Sequence, residues 1–123
     1  MTTPAQPSFK IKANDRRPSL AATLGFAGSS TVPSLAGATV NFVMKAGTRN
    51  GAPVVGGTFL EKPAVIVDAA TAQVRYDWEA GDTATAGEYL GEFEVVGSDG
   101  LTQTFPTDSY IAITIYADLD GAA

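Results

Sequence analysis

The sequence predicts an all-β protein, an antiparallel sandwich of about seven to eight short strands. Three observations carry that prediction. Apolar and polar residues alternate at period two in stretch after stretch, as half-buried strands require. Clusters of Gly, Pro, Asn and Asp separate those stretches at short intervals. No segment keeps a 3.6-residue apolar period over a helix's length. A chain of 123 residues reads as one domain, long enough to bury roughly two thirds of its unfolded surface.

Residues 1–8, polar and proline-bearing, are expected to form an arm, flexible or bound to a partner, ahead of a sandwich over residues 9–117. In "SFKIK", Phe9 and Ile11 face one way, Lys10 and Lys12 the other. Asn14 and Asp15 favour a turn, and Pro18 cannot donate to a ladder. Leu20, Ala22, Leu24 and Phe26 then line one face, and Val40, Phe42 and Met44 align in the next strand. Residues 46–63 lack clear periodicity and admit a small hairpin around Gly56–Gly57. "AVIVD" and "QVRYDW" read as two strands joined by "AATA", with Val74, Tyr76 and Trp78 on one face.

The clearest alternation is "EYLGEFEVV", where Tyr89, Gly91, Phe93 and Val95 oppose Glu88, Leu90, Glu92, Glu94 and Val96. "GSDG" is a hairpin turn, and "LTQTF" returns beside the strand before it. Pro106 and Asp108 break the chain ahead of Ile111, Ile113 and Ile115; "PTDS" lacks a glycine, so the last two segments are expected to form one interrupted strand. Residues 118–123 read as a loose tail. Only "EAGDTATAG" could make a helical turn, capped by Asp82. Trp78, Tyr76, Phe42, Phe93, Phe26 and Leu24 are expected at the centre.

One local feature makes the predicted sandwich immunoglobulin-like. "GDTATAGEYLGEF" places a tight turn just before a Tyr that opens an alternating strand, as a tyrosine corner does; there the ring is buried and the phenol bonds a backbone group upstream. Tyr89 is the candidate, and Gly91 stands where a disulfide-bearing sandwich has its cysteine.

Composition removes several classes of function. The chain has no Cys and no His. A disulfide framework, a thiolate or His-ligated zinc and a Ser–His triad are therefore excluded. A net charge of −5 argues against nucleic acid as the main partner. "MTTPAQPS" has no signal-peptide character and "YIAITIYA" is too short to span a bilayer, so a soluble protein made in the cytoplasm, without a membrane partner, is expected. All eight basic residues lie at or before Arg75, and ten of thirteen carboxylates follow it. Either the two halves interleave in the fold, which is the simpler account, or opposite faces of neighbouring copies attract.

Signatures of chemistry are sparse. "GSDG" lacks the spacing of a nucleophile elbow, and "GTRNGAPVVGG" contains no phosphate-cradling motif. Glu92 and Glu94 point outward together, where a solvated face would raise neither pKa. "DLDG" resembles the start of a calcium loop but lacks its downstream Glu; turn carboxylates such as Asp82 or Asp99 are a weaker alternative. Trp78 and Tyr76 could stack on a sugar, yet they share the face of Val74, which favours the core. No catalytic residue, metal or cofactor is expected, and the chain reads as non-enzymatic.

Arg16–Arg17 is the one adjacent pair of arginines. With only Lys10 and Lys12 nearby, a phosphate site is disfavoured against a turn held by Asx bonds and an ion pair with Asp15. A guanidinium could also lock onto a carboxylate of an adjacent subunit. Arg16, Arg17, Arg49 and Lys62 are the candidate subunit contacts, and the arm at residues 1–8, the arginine turn and the loop at residues 46–63 are the candidate contact elements.

The stretches "NDRRPSLAATL", "LAGATVNFVMK", "VIVDAATAQVRYDW", "GDTATAGEYLGEFEV" and "SDGLTQTFPTDSYIAITI" occur in that order. Together, from Phe9 to about Tyr116, the chain resembles the N-terminal-domain family of phage upper baseplate proteins, immunoglobulin-like modules of virion tails. The resemblance implies a structural virion component, made in the host bacterial cytoplasm, that assembles in many symmetric copies with other virion proteins in a tail, baseplate or related appendage. Members of that family continue into a region carrying receptor-binding proteins, whereas "DLDGAA" alone comes after the module here. Capsid or neck decoration and a host-surface module binding glycan or a receptor therefore stand as alternatives.

Overall fold

The computed structural model describes residues 8–25, 34–47, 59–106, 110–117 and 119. Among them are nine strands and no helix: β1 (Ser8–Lys12), β2 (Leu20–Thr23), β3 (Thr39–Ala46), β4 (Phe59–Pro63), β5 (Val65–Asp68), β6 (Gln73–Tyr76), β7 (Gly87–Val96), β8 (Thr102–Phe105) and β9 (Ile111–Tyr116). They make two packed sheets, a β-sandwich. The larger runs β1-β9-β7-β3-β4, with β8 also on β7; the smaller runs β2-β6-β5.

β7 is the spine of the larger sheet, as its long alternation predicts. β3 pairs along one side of it, from Thr39 opposite Val96 to Ala46 opposite Tyr89. On the other side β9 takes Gly87–Gly91 and β8 takes Phe93–Val96, so β8 and β9 lie end to end along one edge. This is the interrupted strand expected from "LTQTF" and "YIAITIYA". Pro106, without an N–H, stands at the break.

Three features of the fold differ from expectation. β1 pairs with β9 in parallel, Ser8 opposite Ala112 through Lys12 opposite Tyr116. The long crossover that a parallel pair needs is supplied by the rest of the domain. Ser8 thus belongs to the sheet rather than to the arm. Second, the aperiodic region ends in a strand: Phe59–Pro63 pairs with β3, and the chain then crosses to the smaller sheet as β5. The amide of Ala64 marks the crossing, donating to the Val40 carbonyl at 2.8 Å. Third, residues 80–83 form a turn rather than a capped helical turn. Asp82 caps no helix; its carboxylate accepts the Glu79 N–H three residues behind it. Residues 1–7, Phe26, Arg49, the Gly56–Gly57 hairpin and most of 118–123 lie outside the described residues.

The core forms where the inward faces of the two sheets meet. Phe42 of β3 sits at its centre, with the rings of Tyr76, Phe93 and Trp78 at 4.7, 5.3 and 5.7 Å. All four are at most 2% exposed, and Leu24, Phe105 and Ile113 are buried with them. Removing a ring of this kind costs about 3–5 kcal/mol. Gly91 explains why no larger residue lies at its position: an added Cβ would sit 2.7 Å from Ile113 Cδ1 and 3.1 Å from Phe42 Cε1.

Candidate functional site

The densest set of polar contacts lies at the end of the sandwich where β1, β6 and β9 finish and β7 begins. Two segments meet there, the β1–β2 turn at residues 13–19 and the β6–β7 loop at residues 77–86. Each makes local turn bonds, Asp15 N–H to the Lys12 carbonyl and Asp82 N–H to the Glu79 carbonyl, and the two also bond each other. Asn14 N–H donates to the Thr83 carbonyl at 3.0 Å. The buried Thr83 hydroxyl returns a bond to the Asp15 carbonyl at 2.8 Å. Arg16 Nε donates to the Trp78 carbonyl at 3.0 Å. Ser19 Oγ donates to Asp77 Oδ1, which also receives Arg75 Nε; both bonds measure 2.7 Å. Arg75 first and Ser19 second hold the Asp77 carboxyl below its usual range.

Beside these lies a second knot that ties the two sheets. Lys62, at the edge of the larger sheet, points inward and reaches Asp82 Oδ1 at 2.7 Å and Glu79 Oε1 at 3.1 Å. Asp82 Oδ2 accepts the Tyr76 hydroxyl from the smaller sheet at 2.5 Å and the Glu79 N–H at 2.8 Å. The Asp82 side chain is 3% exposed. Burial pulls its pKa upward, but Lys62, Tyr76 and the Glu79 amide outweigh that pull and hold it below the usual value. Tyr76 is pushed upward by burial first and by Asp82 second. Lys62 is raised by its bonds to Asp82 and Glu79. A carboxylate that already accepts three hydrogen bonds and a phenol held protonated are poor acid–base catalysts. This arrangement fastens the β6–β7 loop to both sheets.

Tyr89 completes that end. Its hydroxyl donates to the Thr85 carbonyl, four residues upstream, at 2.7 Å, with the ring buried. That is the bond a tyrosine corner makes.

The candidate contacts fare differently. Arg16 is exposed but anchored through Nε to its own chain. Arg17 is exposed, and no described residue receives its guanidinium. Backbone bonds, the Thr83 hydroxyl and Arg16 all hold the turn, and no Asp15 ion pair is found among the described residues. Lys62 is occupied within the fold rather than offered to a neighbour. Arg49 lies outside the described residues. The outward carboxylates of β7 also depart from expectation: Glu92 and Glu94 are half-buried, and Glu92 is raised by burial first and by Glu94 second.

Asp82 and Asp99 lie beyond opposite ends of β7, ten residues long, or about 33 Å, so they cannot share an ion. No group of three or more carboxylates suited to a metal ion is present among the described residues. No helix there is long and apolar enough to cross a membrane. Trp78 and Tyr76 are buried in the core. The Lys62–Asp82–Tyr76 knot had no signal in the sequence beyond three polar residues of compatible chemistry. No protein-family model matches the chain, and neither does any curated protein sequence.

Proposed function

We propose that this protein is a non-enzymatic structural component of a bacteriophage virion, an immunoglobulin-like module assembled in many copies within a tail, baseplate or related appendage. The observation that carries the reading is where the chemistry-bearing side chains go. Trp78, Tyr76, Phe42 and Phe93 hold the sheets together, and Asp82, Lys62, Tyr89 and Arg16 fasten loops. What remains outward is sheet edge, turn and scattered charge, which suits docking by shape and main-chain bonds. The strand order supports the immunoglobulin-like part. Three strands, β2-β6-β5, face a sheet centred on β9-β7-β3, and the tyrosine bond lies at the entry to β7. Symmetry multiplies a modest contact, so each interface can be small.

Quantitative mass spectrometry of purified particles tests this. The chain is expected in a fixed number of copies per particle, retained through density-gradient purification. A protein abundant in lysate and missing from particles rules the proposal out. Binding of the isolated domain on a glycan array would instead favour the host-surface alternative.

A further inference from the structure

Resting on the assembly reading above, we propose that the open edge of β5 binds a second copy of this chain, β5 against β5, antiparallel about a two-fold axis at Ile66. Among the described residues five strands have an open side, and four are poor templates. β8, paired only with β7, exposes the polar Thr102 and Gln103. β1 exposes Lys10 and Lys12, and β4 carries Glu61 and Lys62 and ends in Pro63, which has no N–H. β2 exposes only the small side chains of Ala21 and Thr23. β5 differs, showing Val65 at 41% and Val67 at 51% exposure with no charge before Asp68.

The register supplies the self-complementarity. Ile66 lies opposite Val74, but Asp68 lies opposite Gln73, so Val67 is the extra residue of a bulge and turns to the outer face with Val65. The bulge limits pairing to Val65–Ile66–Val67, which is apolar throughout and symmetric about Ile66. Antiparallel pairing there sets Val65 opposite the partner's Val67 and Val67 opposite the partner's Val65. Ile66 meets its own copy on the inward side.

Charge agrees with the same register. Asp68 Oδ1 is taken by the amides of Ala70 and Thr71 at 3.0 and 3.4 Å, bonds in which Oδ2 takes no part. Arg75 lies beside Val65 on the outer face, with Nε and Nη2 on Asp77 of its own chain at 2.7 and 3.2 Å and Nη1 outside those bonds. Across the axis the partner's Arg75 is therefore two strand spacings from Asp68, roughly 10 Å between backbones, within reach of an arginine. The contact occurs twice by symmetry, each guanidinium bridging its own Asp77 and the partner's Asp68, so a chain of net charge −5 brings a cation to a seam that otherwise holds carboxylates. An unrelated strand would not carry this matched pattern. The result is one continuous six-stranded sheet, β2-β6-β5 of each copy joined at β5. Three residues per copy make less than a standing interface of about 1,200–2,000 Å², so the contact is weak alone and gains from repetition in an array.

Sedimentation of the full chain up to about 1 mM, the range of a weak contact, is expected to show reversible dimer. Val67→Lys should stay monomeric with an unchanged melting temperature. Since the chain has no cysteine, an equal mixture of V65C and V67C chains should cross-link on mild oxidation roughly tenfold faster than either alone, because only the mixed pair is adjacent. Dimerisation of V67K at the wild-type concentration, or equal cross-linking of either single variant, overturns the contact. A chain that is monomeric throughout yet present in particles also overturns it, and leaves the assembly reading standing.

Discussion

The two ends of the sandwich are built on different principles. At one end, residues 13–19 and 77–86 are distant in sequence and bond each other through Thr83, Arg16 and Ser19, while Lys62 and Tyr76 converge on Asp82 from separate sheets. At the other, the side-chain bonds stay within single turns, and the links between segments are the backbone bonds from the Leu24 amide to the Ala72 carbonyl and from Leu35 to Ala69. Asp68 caps its own turn through Ala70 and Thr71, and Asp99 accepts the Leu101 N–H two residues on. The first end fixes how the sheets sit on each other; the second mainly closes hairpins. Changes at the tied end should therefore damage the whole domain, and changes at the other should stay local.

The largest effect is expected from Asp82→Ala, which leaves the Tyr76 phenol and the Glu79 amide without their acceptor and Lys62 with Glu79 alone. Breaking such a buried set costs about 3 kcal/mol, read as a lower urea midpoint at an unchanged slope. The matching change at the far end, Asp99→Ala, removes one exposed turn bond and should cost about 0.5 kcal/mol. Similar losses for the two would erase the contrast. Tyr89→Phe falls between them, at about 1 kcal/mol for one buried hydrogen bond. An unshifted midpoint there would mean the tyrosine bond does not hold the loop.

Acid sharpens the comparison further. Asp82 is depressed in the fold, so its contribution is fully present above the ordinary carboxylate pKa of about 3.9 and is lost as pH falls through the folded value. The stability gap between wild type and Asp82→Asn should be full at pH 7 and narrow in that acid window. Glu92 behaves in the opposite sense. Its raised pKa means that ionisation is disfavoured by folding, a penalty absent at low pH that appears as pH rises through the carboxylate range. Glu92→Gln should stabilise at pH 7 by no more than about 0.5 kcal/mol, given solvent screening, and change nothing at pH 3. This is the smallest effect of the set.

How far the sequence could be read respects the same division. Period-two burial is local, so β3, β7 and the aromatic centre were legible, as was the break between β8 and β9 at Pro106. The tyrosine bond was legible because its partner lies four residues away. The parallel β1–β9 pair and the switch of sheet at Ala64 were not, since register between distant strands leaves no mark within either one. Lys62 illustrates the limit most clearly. Its neighbours in sequence, Glu61 and Pro63, suggest an exposed edge. Its ammonium is nevertheless bound by carboxylates at positions 79 and 82, a pairing that the fold alone creates. Glu92 misled for a related reason, because an outward position on a central strand of a five-strand array is partly covered by its neighbours.

Hydrogen exchange, resolved by residue on the free chain, tests the central contrast most directly. The amides of Asn14 and Glu79 should exchange only on global unfolding, because their acceptors lie in the cross-bonded end. Those of Gly100 and Leu101, held by their own turn, should exchange within about a hundredfold of an unstructured peptide. Equal protection at both ends, or slower exchange at Gly100 and Leu101, would contradict the account.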